Sequence, residues 1–355
     1  MRPIVAYISE KALAHNLAQV RRYAPHSKVI AVVKANAYGH GLLNAARGLK
    51  ETDAFAVLNI SEAVTLRDAG YQHPILLLEG VFSAEEMALV DRYRLDAVIA
   101  HRAQLEWLLA AQVNVPLRVY LKLDSGMHRL GFQPASYQAA LDQLAASGNV
   151  SEIVLMTHFA NSDLADGVTQ AMTIVEQVMP AQSYKRSLAN SAAIVQQPHT
   201  HADWVRPGIM LYGATPIGDK TAASLGLEPV MSLQSGLIGV QEIQAGESVG
   251  YGSLFTADQF TRVGIVACGY ADGYPRHAPT GTPIAINGVI TRTLGRVSMD
   301  MMAADITDVP DVKIGSPVEL WGNLVPVDAV AQSSGTIGYE LLCAVTSRVP
   351  MYVID

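Results

Sequence analysis

Lys34 is the residue whose surroundings most directly suggest chemistry. It follows an apolar run in "AVVKANAYGHG", residues 31 to 41, and precedes two glycines, a tyrosine and a histidine. A lysine amine can form an imine with a carbonyl compound or transfer a proton, and both uses need the neutral amine, although the ordinary lysine pKa is near 10.4. We therefore take Lys34 as the first candidate catalytic residue.

Polar side chains stand at or just beyond the ends of the apolar runs that we interpret as strands. They are Lys34, Asn59, Glu79, His101, Lys122, Asp124, His158, Ser191 and Arg206. Any strand must emerge into water, so a single polar residue at such a place carries little information. Lysine, histidine and arginine from distant segments carry more, because the carboxyl ends of barrel strands meet at one face, where active sites lie.

The elements that would position these residues alternate along the first two thirds of the chain. Helical patterns such as "EKALAHNLAQVRRY", "SAEEMALVDRY" and "RAQLEWLLAAQ" separate the apolar runs, and Ser83 with Glu86 forms a capping-box pattern. The eight runs are 29–33, 55–59, 75–80, 97–100, 119–124, 153–159, 186–190 and 205–213. This alternation predicts an α/β protein with a (β/α)₈ TIM-type barrel rather than a doubly wound sheet.

The sequence changes character after about Leu227, where short alternating runs and turn residues replace the helical patterns. Asn287-Gly288 lies between two apolar runs, and this pair favours a type I′ hairpin because both positions need positive φ. Helices are predicted near "VDAVAQSSG" and "YELLCAV". We predict a barrel domain over residues 1–228 and a mostly β domain over 229–355, which the opening segment "RPIVAYI" could join as a strand.

Composition narrows the class of function. The 355 residues are 50% hydrophobic and 16% charged, and the net charge of -7 includes no long basic block that would bind nucleic acid or an anionic membrane. Cys268 and Cys343 are far apart in sequence, which argues against a disulfide framework and offers no metal cluster. The first thirty residues contain no signal-peptide core, and no later run reaches the length of a membrane span. We expect a soluble, cytoplasmic protein that acts on a small molecule.

Two loops favour phosphate binding. Barrels often bind phosphate in the loops after strands 7 and 8, which here contain "ANSAA" and "RPGIMLYG". Ser191 offers a hydroxyl, and Gly208 lets backbone N–H groups approach an anion. A lysine together with a phosphate-binding loop suggests pyridoxal phosphate as the cofactor.

Several longer motifs carry a resemblance to a known family. They are "VVKANAYGHG", "LKLDSGMHRLGF", "THFANSD", "ANSAA", "WVRPGIMLYG", "SVGYGSLF", "CGYADGYPR", "LGRVSMDM" and "TIGYE". In this order and over essentially the whole length, the chain resembles the alanine racemase family. The resemblance implies a pyridoxal-phosphate enzyme with a barrel and a C-terminal β domain. It also implies interconversion of L- and D-alanine, which supplies D-alanine for peptidoglycan or L-alanine for catabolism.

The resemblance implies two catalytic bases. Lys34 would hold the cofactor through an imine and, once the substrate amine displaces it, act as the base on one face of Cα. Tyr251 would act on the opposite face, since inversion requires one group to remove the α-proton and another to return a proton. Considered without the family, Tyr251 reads as an ordinary half-buried strand tyrosine.

Cofactor and substrate contacts are also implied by the resemblance. Arg206 would meet the pyridine nitrogen, and His158 would lie against the ring, although a lone histidine is more often a satisfied core residue. The substrate carboxylate would be bound by Arg129 and by the backbone of Met299. The residues matching the phosphate site are Tyr38, Ser191, Gly208, Ile209 and Tyr339.

Three further positions play supporting roles in the family. Lys122 matches a lysine that is often carbamylated, which would turn a cation into an anion that orients Arg129. Tyr270 and Asp300 match the entrance to the active site, and His128 stands where glycine is frequent. Because Tyr251, Met299 and Asp300 fall in the β domain, the resemblance implies a head-to-tail homodimer with two composite active sites.

Other functions remain open at this point. A racemase of broader specificity, acting on serine or larger amino acids, would use the same residues. A decarboxylase of related architecture would be expected to keep an acidic partner at the pyridine nitrogen, where this chain has Arg206. A noncatalytic pyridoxal-phosphate carrier would need only the barrel, and a purely structural barrel would have no use for Lys34 and the phosphate loops together.

Overall fold

The computed structural model describes residues 2–180 and 183–355. The strands, in chain order, are β1 (Val5–Ser9), β2 (Lys28–Val32), β3 (Ala54–Val57), β4 (Ile75–Leu77), β5 (Asp96–Ile99), β6 (Leu117–Lys122), β7 (Val150–Met156), β8 (Lys185–Asn190), β9 (Trp204–Arg206), β10 (Met231–Ile243), β11 (Ser248–Val249), β12 (Phe255–Thr256), β13 (Thr261–Val266), β14 (Pro283–Ile286), β15 (Val289–Leu294), β16 (Met302–Asp305), β17 (Pro317–Trp321) and β18 (Met351–Ile354).

The helices alternate with the barrel strands and then become sparse. They are α1 (Glu10–Tyr23), α2 (Lys34–Tyr38), α3 (Leu42–Gly48), α4 (Ile60–Asp68), α5 (Met87–Tyr93), α6 (Arg102–Ala110), α7 (Pro134–Ala145), α8 (Thr169–Val178), α9 (Ser191–Gln196), α10 (Val327–Ser333) and α11 (Gly338–Ala344). Short 3₁₀ turns that matter below cover Ile209–Tyr212, Tyr251–Ser253 and Tyr270–Asp272.

Strands β2 to β9 form a closed parallel barrel in which each strand pairs with its successor and β9 returns to β2. The apolar runs form these strands because helices cover the outside and side chains fill the inside, so that both faces are buried. All four residues of β3, for example, are buried. The predicted (β/α)₈ barrel is confirmed.

Two local predictions were wrong. The eighth strand ends at Arg206 rather than at 213, because Pro207 has no N–H to continue the ladder and the chain then turns into the 3₁₀ segment Ile209–Tyr212. The helix after β4 begins at Met87 and not beside Ser83. The Glu86 carboxylate accepts a hydrogen bond from the Phe82 N–H, 2.7 Å away, in the turn before that helix.

A second sheet contains the later strands in the order β13-β16-β15-β14-β17-β10-β1-β18, and β13 also pairs with β10. Strand β1, which precedes the barrel, pairs antiparallel with β10 and parallel with β18. Asn287 and Gly288 connect β14 to β15 with φ angles of 50° and 79°, as the hairpin signal predicted. Helices α10 and α11 lie where the sequence placed them.

The barrel and the second sheet share one continuous apolar core. The Asn16 side chain on α1 holds the segment that follows the barrel. It donates hydrogen bonds to the Leu211 and Glu228 carbonyls and accepts one from the Glu228 N–H. Asp328 on α10 accepts a hydrogen bond from the Thr215 N–H at 2.9 Å. In the part of the chain that the structure describes, no helix has the length and apolarity needed to cross a membrane.

Candidate functional site

A cavity of about 400 Å³ opens at the carboxyl end of the barrel strands. Ten of the residues predicted for the site line it: Lys34, Tyr38, Lys122, Arg129, His158, Ser191, Arg206, Gly208, Ile209 and Tyr339. Of the other polar residues at strand ends, Glu79 also lines the cavity. Asn59 and His101 instead cap helices α4 and α6, and Asp124 organises a loop.

Lys34 is followed by a left-handed turn. Ala35, Asn36, Ala37 and Tyr38 all have φ angles between 52° and 55°. For residues with a side chain this conformation costs about 1 kcal/mol or more each, so surrounding contacts must stabilise it. The Asn36 side-chain oxygen accepts a hydrogen bond from the Leu42 N–H at 2.9 Å. The Asn36 backbone carbonyl accepts one from the Gly41 N–H at 3.0 Å. The turn fixes the backbone that carries Lys34 to the cavity.

The same turn packs closely against α11, which belongs to the mostly β part of the chain after the barrel. A Cβ atom on Gly39, whose φ is 82°, would lie 2.1 Å from the Leu342 carbonyl oxygen, so only glycine permits this approach. The approach brings Tyr339 to the cavity, 6.1 Å from the Tyr38 ring between centroids. The Tyr38 ring also stacks on Tyr212 at 4.7 Å. Both regions of one chain therefore build this wall.

Two hydroxyl groups and one backbone amide, those of Tyr38, Ser191 and Gly208, form a small cradle on that wall. The Gly208 N–H donates to the Ser191 hydroxyl at 2.8 Å. A Cβ atom on Gly208 would lie 2.5 Å from the Tyr38 hydroxyl and 4.0 Å from the Ser191 hydroxyl. Burial raises the pKa of Tyr38, which keeps its hydroxyl protonated as a hydrogen-bond donor. The cradle can bind the oxygen atoms of a phosphate group.

Arg206 is buried without a carboxylate partner among the described residues that it contacts. Its guanidinium donates to the carbonyls of Ser187 and Thr157, both at 2.7 Å, and to the Ser187 hydroxyl. Burial lowers the pKa of Arg206 to about 10, which still leaves it cationic at neutral pH. It is therefore a fixed donor at the base of the cavity.

His158 lies beside this arginine. The distance from Arg206 Nη2 to His158 Nδ1 is 3.5 Å, which lets the guanidinium donate to the imidazole. Burial, followed by the charge of Arg206, lowers the pKa of His158 well below its ordinary value. The imidazole is neutral at physiological pH.

Lys122 and Arg129 also line this cavity. Burial, followed by the charges of Arg206 and Arg129, lowers the pKa of Lys122 to about 8. The negative charge of Glu79 raises the pKa of Lys122 and so opposes these effects. Among the described residues that line the cavity, Glu79 provides the only carboxylate. A cavity with several cations and one acid is suited to anionic groups such as a phosphate and a carboxylate.

The loop that carries Arg129 is held by Asp124. Its carboxylate accepts from the N–H groups of Gly126 and His128, both at 3.0 Å, and from the side chain of Gln133. The His128 ring nitrogen is also 3.0 Å from this carboxylate. Burial is the largest single influence and raises the pKa of Asp124. The hydrogen bonds together outweigh it, so the pKa of Asp124 is lowered. The loop presents Arg129 with a fixed backbone.

The remaining predicted residues line a second cavity of about 590 Å³ on the β region. Tyr251, Tyr270, Met299 and Asp300 contribute to it, and none of them lines the barrel cavity. Tyr251 is 71% exposed and Met299 is 53% exposed. A single chain therefore does not bring Tyr251 to Lys34.

Some lining residues were not singled out from the sequence. Arg276 and Arg296 add two cations to the second cavity, and both stand inside motifs already noted, "CGYADGYPR" and "LGRVSMDM". Cys343 lines the barrel cavity with Lys34. Its position one helical turn after Tyr339 was the available signal.

Comparison with known families covers almost the whole chain. Residues 8–216 match the model of the alanine racemase N-terminal domain, and residues 230–353 match the alanine racemase C-terminal domain. The first match spans the barrel and the second spans the later sheet.

Individual relatives agree with these matches. An alanine racemase of Erwinia tasmaniensis is 52% identical over 99% of each chain, and a catabolic alanine racemase of Klebsiella aerogenes is 51% identical over 99% of each. A crystal structure of biosynthetic alanine racemase from Pseudomonas aeruginosa covers 100% of both chains with a TM-score of 0.97 and 49% identity. The chain belongs to the alanine racemase family.

Proposed function

We propose that this protein is a pyridoxal-phosphate-dependent alanine racemase that interconverts L- and D-alanine by a two-base mechanism. The observation that carries the proposal is a single cavity that joins Lys34, the buried cation Arg206 and the hydroxyl cradle of Ser191 and Tyr38. These are the groups needed to hold the carbonyl, the ring nitrogen and the phosphate of one cofactor.

The cradle fits the cofactor phosphate. Gly208 leaves space beside the Tyr38 hydroxyl that a Cβ atom would fill, and its N–H donates to the Ser191 hydroxyl. Together with Ile209 and Tyr339, these residues would hold the phosphate. When bound, pyridoxal phosphate supplies a carbonyl that captures an amine and a ring that stabilises negative charge at Cα.

Arg206 would donate to the pyridine nitrogen and keep that nitrogen unprotonated, since arginine stays protonated. A ring without a proton on its nitrogen withdraws electrons less strongly, which limits transamination and decarboxylation. The bonds to Ser187 and Thr157 hold the guanidinium in this role. His158, which is neutral, would lie against the ring without adding charge.

Lys34 and Tyr251 would be the two catalytic bases. Lys34 would hold the carbonyl carbon of the cofactor and would move a proton on one face of the substrate Cα. Tyr251 would move a proton on the opposite face. Because Tyr251 stands in a different cavity of the same chain, its partner Lys34 must come from another subunit.

A head-to-tail homodimer with two composite sites satisfies this requirement. The exposure of large apolar side chains around Tyr251 supports it, since Leu254 is 59% exposed and Met301 is 44% exposed. In the dimer, the barrel cavity of each subunit would face the second cavity of its neighbour.

The substrate contacts follow from this arrangement. Arg129 and the Met299 N–H would bind the carboxylate of alanine from two subunits. Lys122, which stands next to Arg129, would orient it, and carbamylation would convert the repulsion between them into attraction. Tyr270 and Asp300 would line the entrance, and Tyr270 would help to restrict the size of the substrate.

We further propose that the enzyme acts in the cytoplasm and supplies D-alanine for peptidoglycan or L-alanine for catabolism. We place the boundary between the barrel domain and the β domain between residues 228 and 229. The change from parallel to mostly antiparallel pairing after this point supports the division.

The test uses purified protein with added pyridoxal phosphate. Optical rotation and solvent-deuterium exchange of L-alanine are followed for the wild type and for Tyr251→Phe. The wild type is expected to racemise and exchange, whereas the variant keeps its cofactor and loses inversion by about 10² to 10⁴. Absence of exchange and inversion in the cofactor-loaded wild type would contradict the proposal.

A further inference from the structure

The segment Ser298–Asp300 lines the second cavity and is held by backbone hydrogen bonds to the Tyr270–Asp272 turn. The Met299 carbonyl accepts from the Ala271 N–H, and the Ser298 carbonyl accepts from the Tyr270 N–H, both at 3.0 Å. These bonds join the segment to the Tyr270 turn. In the part of the chain that the structure describes, the Met299 N–H has no hydrogen-bond partner, so it is free for a ligand.

Four charged residues contact this segment or the Tyr270–Asp272 turn. We call them the Asp272 cluster: Arg2, Asp272, Asp300 and Arg348. Arg2 donates two hydrogen bonds to the Asp272 carboxylate, at 2.7 and 3.0 Å. Arg2 also donates to the Asp300 backbone carbonyl at 2.7 Å. Arg348 lies 3.4 Å from the Asp272 carboxylate and donates to the Asp300 carboxylate at 2.7 Å.

The fold explains why two arginines meet here. Strands β1 and β18 are parallel neighbours, with Ala6 opposite Met351. Each arginine stands three residues before its strand, so both arrive at the same end of the sheet. The first residues and the last residues of the described chain are thereby brought to one carboxylate.

Asp272 transmits this support to the cavity wall. Its side chain is fully buried, and its second carboxylate oxygen accepts from the Gly269 N–H at 3.0 Å, which closes the Tyr270 turn. A Cβ atom on Gly269 would lie 2.3 Å from the Met299 carbonyl oxygen, so turn and segment are in direct backbone contact. A buried carboxylate of this kind depends on its partners, since an unpaired charge would be costly.

We propose that Arg2 is a positioning residue for substrate binding: through Asp272 and the Asp300 carbonyl, it fixes the free Met299 N–H and the Tyr270 side chain in the second cavity. This inference rests on the proposed function, in which that cavity completes the site of a neighbouring barrel. Arg2 lines neither cavity, so it would act through its contacts rather than on a ligand.

The guanidinium geometry is essential to this role. Arg2 binds both oxygens of one carboxylate and a carbonyl at once, which a lysine cannot do with the same geometry. Arg2→Lys keeps the charge next to Asp272 and removes the fork, so the variant is expected to fold. Arg2→Gln also removes the charge. Arg292→Lys is the matched control, because Arg292 forms an exposed ion pair with Asp305 on the same sheet and lines neither cavity.

The experiment measures KM and kcat for alanine with the holoenzyme of each variant. For Arg2→Lys, KM is expected to rise about three- to tenfold while kcat stays within about twofold, as expected when one or two hydrogen bonds that position a binding group are lost. Arg2→Gln should show at least the same rise, and Arg292→Lys should match the wild type. The absorbance of the bound cofactor should be the same in all four proteins.

A second readout does not need activity. Amide hydrogen exchange in the peptides that cover residues 269–272 and 298–301 should be faster in Arg2→Lys than in Arg292→Lys, with the barrel unchanged. Unchanged KM, or unchanged exchange in these peptides, would overturn the role of Arg2. Lack of racemisation by the wild type would instead overturn the proposed function, while the exchange result would still decide whether Arg2 positions the segment.

Discussion

The two cavities of this chain differ in how their polar groups are held. In the barrel cavity, Arg206 and Lys122 are buried, and their backbones belong to strand ends or tightly bonded turns. In the second cavity, Tyr251 and Met299 are mostly exposed on short loops of the β region. The first resembles a finished binding site, and the second resembles a surface that becomes a site when another protein covers it.

The two cavities therefore differ in how much free energy the folded chain loses by burying charged groups. The barrel holds cations out of water, which lowers the pKa values of Lys122 and Arg206. A cofactor with a phosphate group would offset that cost. The second cavity carries little such cost, so its groups can remain in water until assembly.

The largest effect is expected from changing the charge at the base of the barrel cavity. Arg206→Glu should lower racemisation by about 10² or more, because a carboxylate would keep the pyridine nitrogen protonated. The same change should increase pyruvate formation from alanine by transamination. Arg206→Lys is the control: it loses the fork and activity but should not increase transamination. Equal pyruvate formation by both variants would contradict the role of Arg206.

A smaller effect tests the cost of burying Lys122. Its folded pKa of about 8 lies below the ordinary value of 10.5, so between these values the unfolded chain binds a proton that the folded chain has lost. The free energy of unfolding should therefore rise by about 2 kcal/mol from pH 8 to about pH 10 through this group. The buried Cys268 thiol, whose pKa is raised, acts in the opposite direction.

The contribution of Lys122 is isolated by comparing wild type with Lys122→Met. Urea unfolding of the cofactor-free proteins in buffers without carbon dioxide gives the free energy of each at both pH values. The difference between wild type and variant should shift in favour of wild type as the pH rises. A difference that is independent of pH would show that Lys122 is not a buried cation.

The smallest effect concerns space in the phosphate cradle. Gly208→Ala should weaken the binding of pyridoxal phosphate about tenfold, because the added Cβ lies 2.5 Å from the Tyr38 hydroxyl. Gly218→Ala is the control, since a Cβ there meets no atom within 4 Å. Titration of the cofactor by absorbance measures both. Equal affinities would place the phosphate elsewhere.

Much of the barrel was predictable because its strands are short apolar runs between helical patterns. Even so, the end of β9 was misjudged: "GIMLY" remains apolar, and apolar character alone does not separate a buried strand from a buried 3₁₀ turn. The left-handed turn after Lys34 was not predictable, because alanine and tyrosine rarely adopt positive φ and the stabilising contact with α11 comes from about 300 residues later.

The candidate site was predicted through its motifs rather than through physical spacing. Residue types at strand ends suggested Lys34, Lys122 and Arg206, whose elements converge in any barrel. Tyr251 had no such signal, since it lies outside the barrel, in an exposed 3₁₀ turn of the β region. Its place in the site came from the family resemblance alone.

The most direct test of the account mixes two inactive proteins. Lys34→Ala lacks the proposed base of the barrel cavity, and Tyr251→Phe lacks the proposed base of the second cavity. If each site combines Lys34 from one subunit with Tyr251 from the other, equal amounts unfolded and refolded together should recover about a quarter of wild-type activity. Half of the dimers would then be mixed, with one intact site each. Activity no higher than that of either variant alone would contradict the composite site.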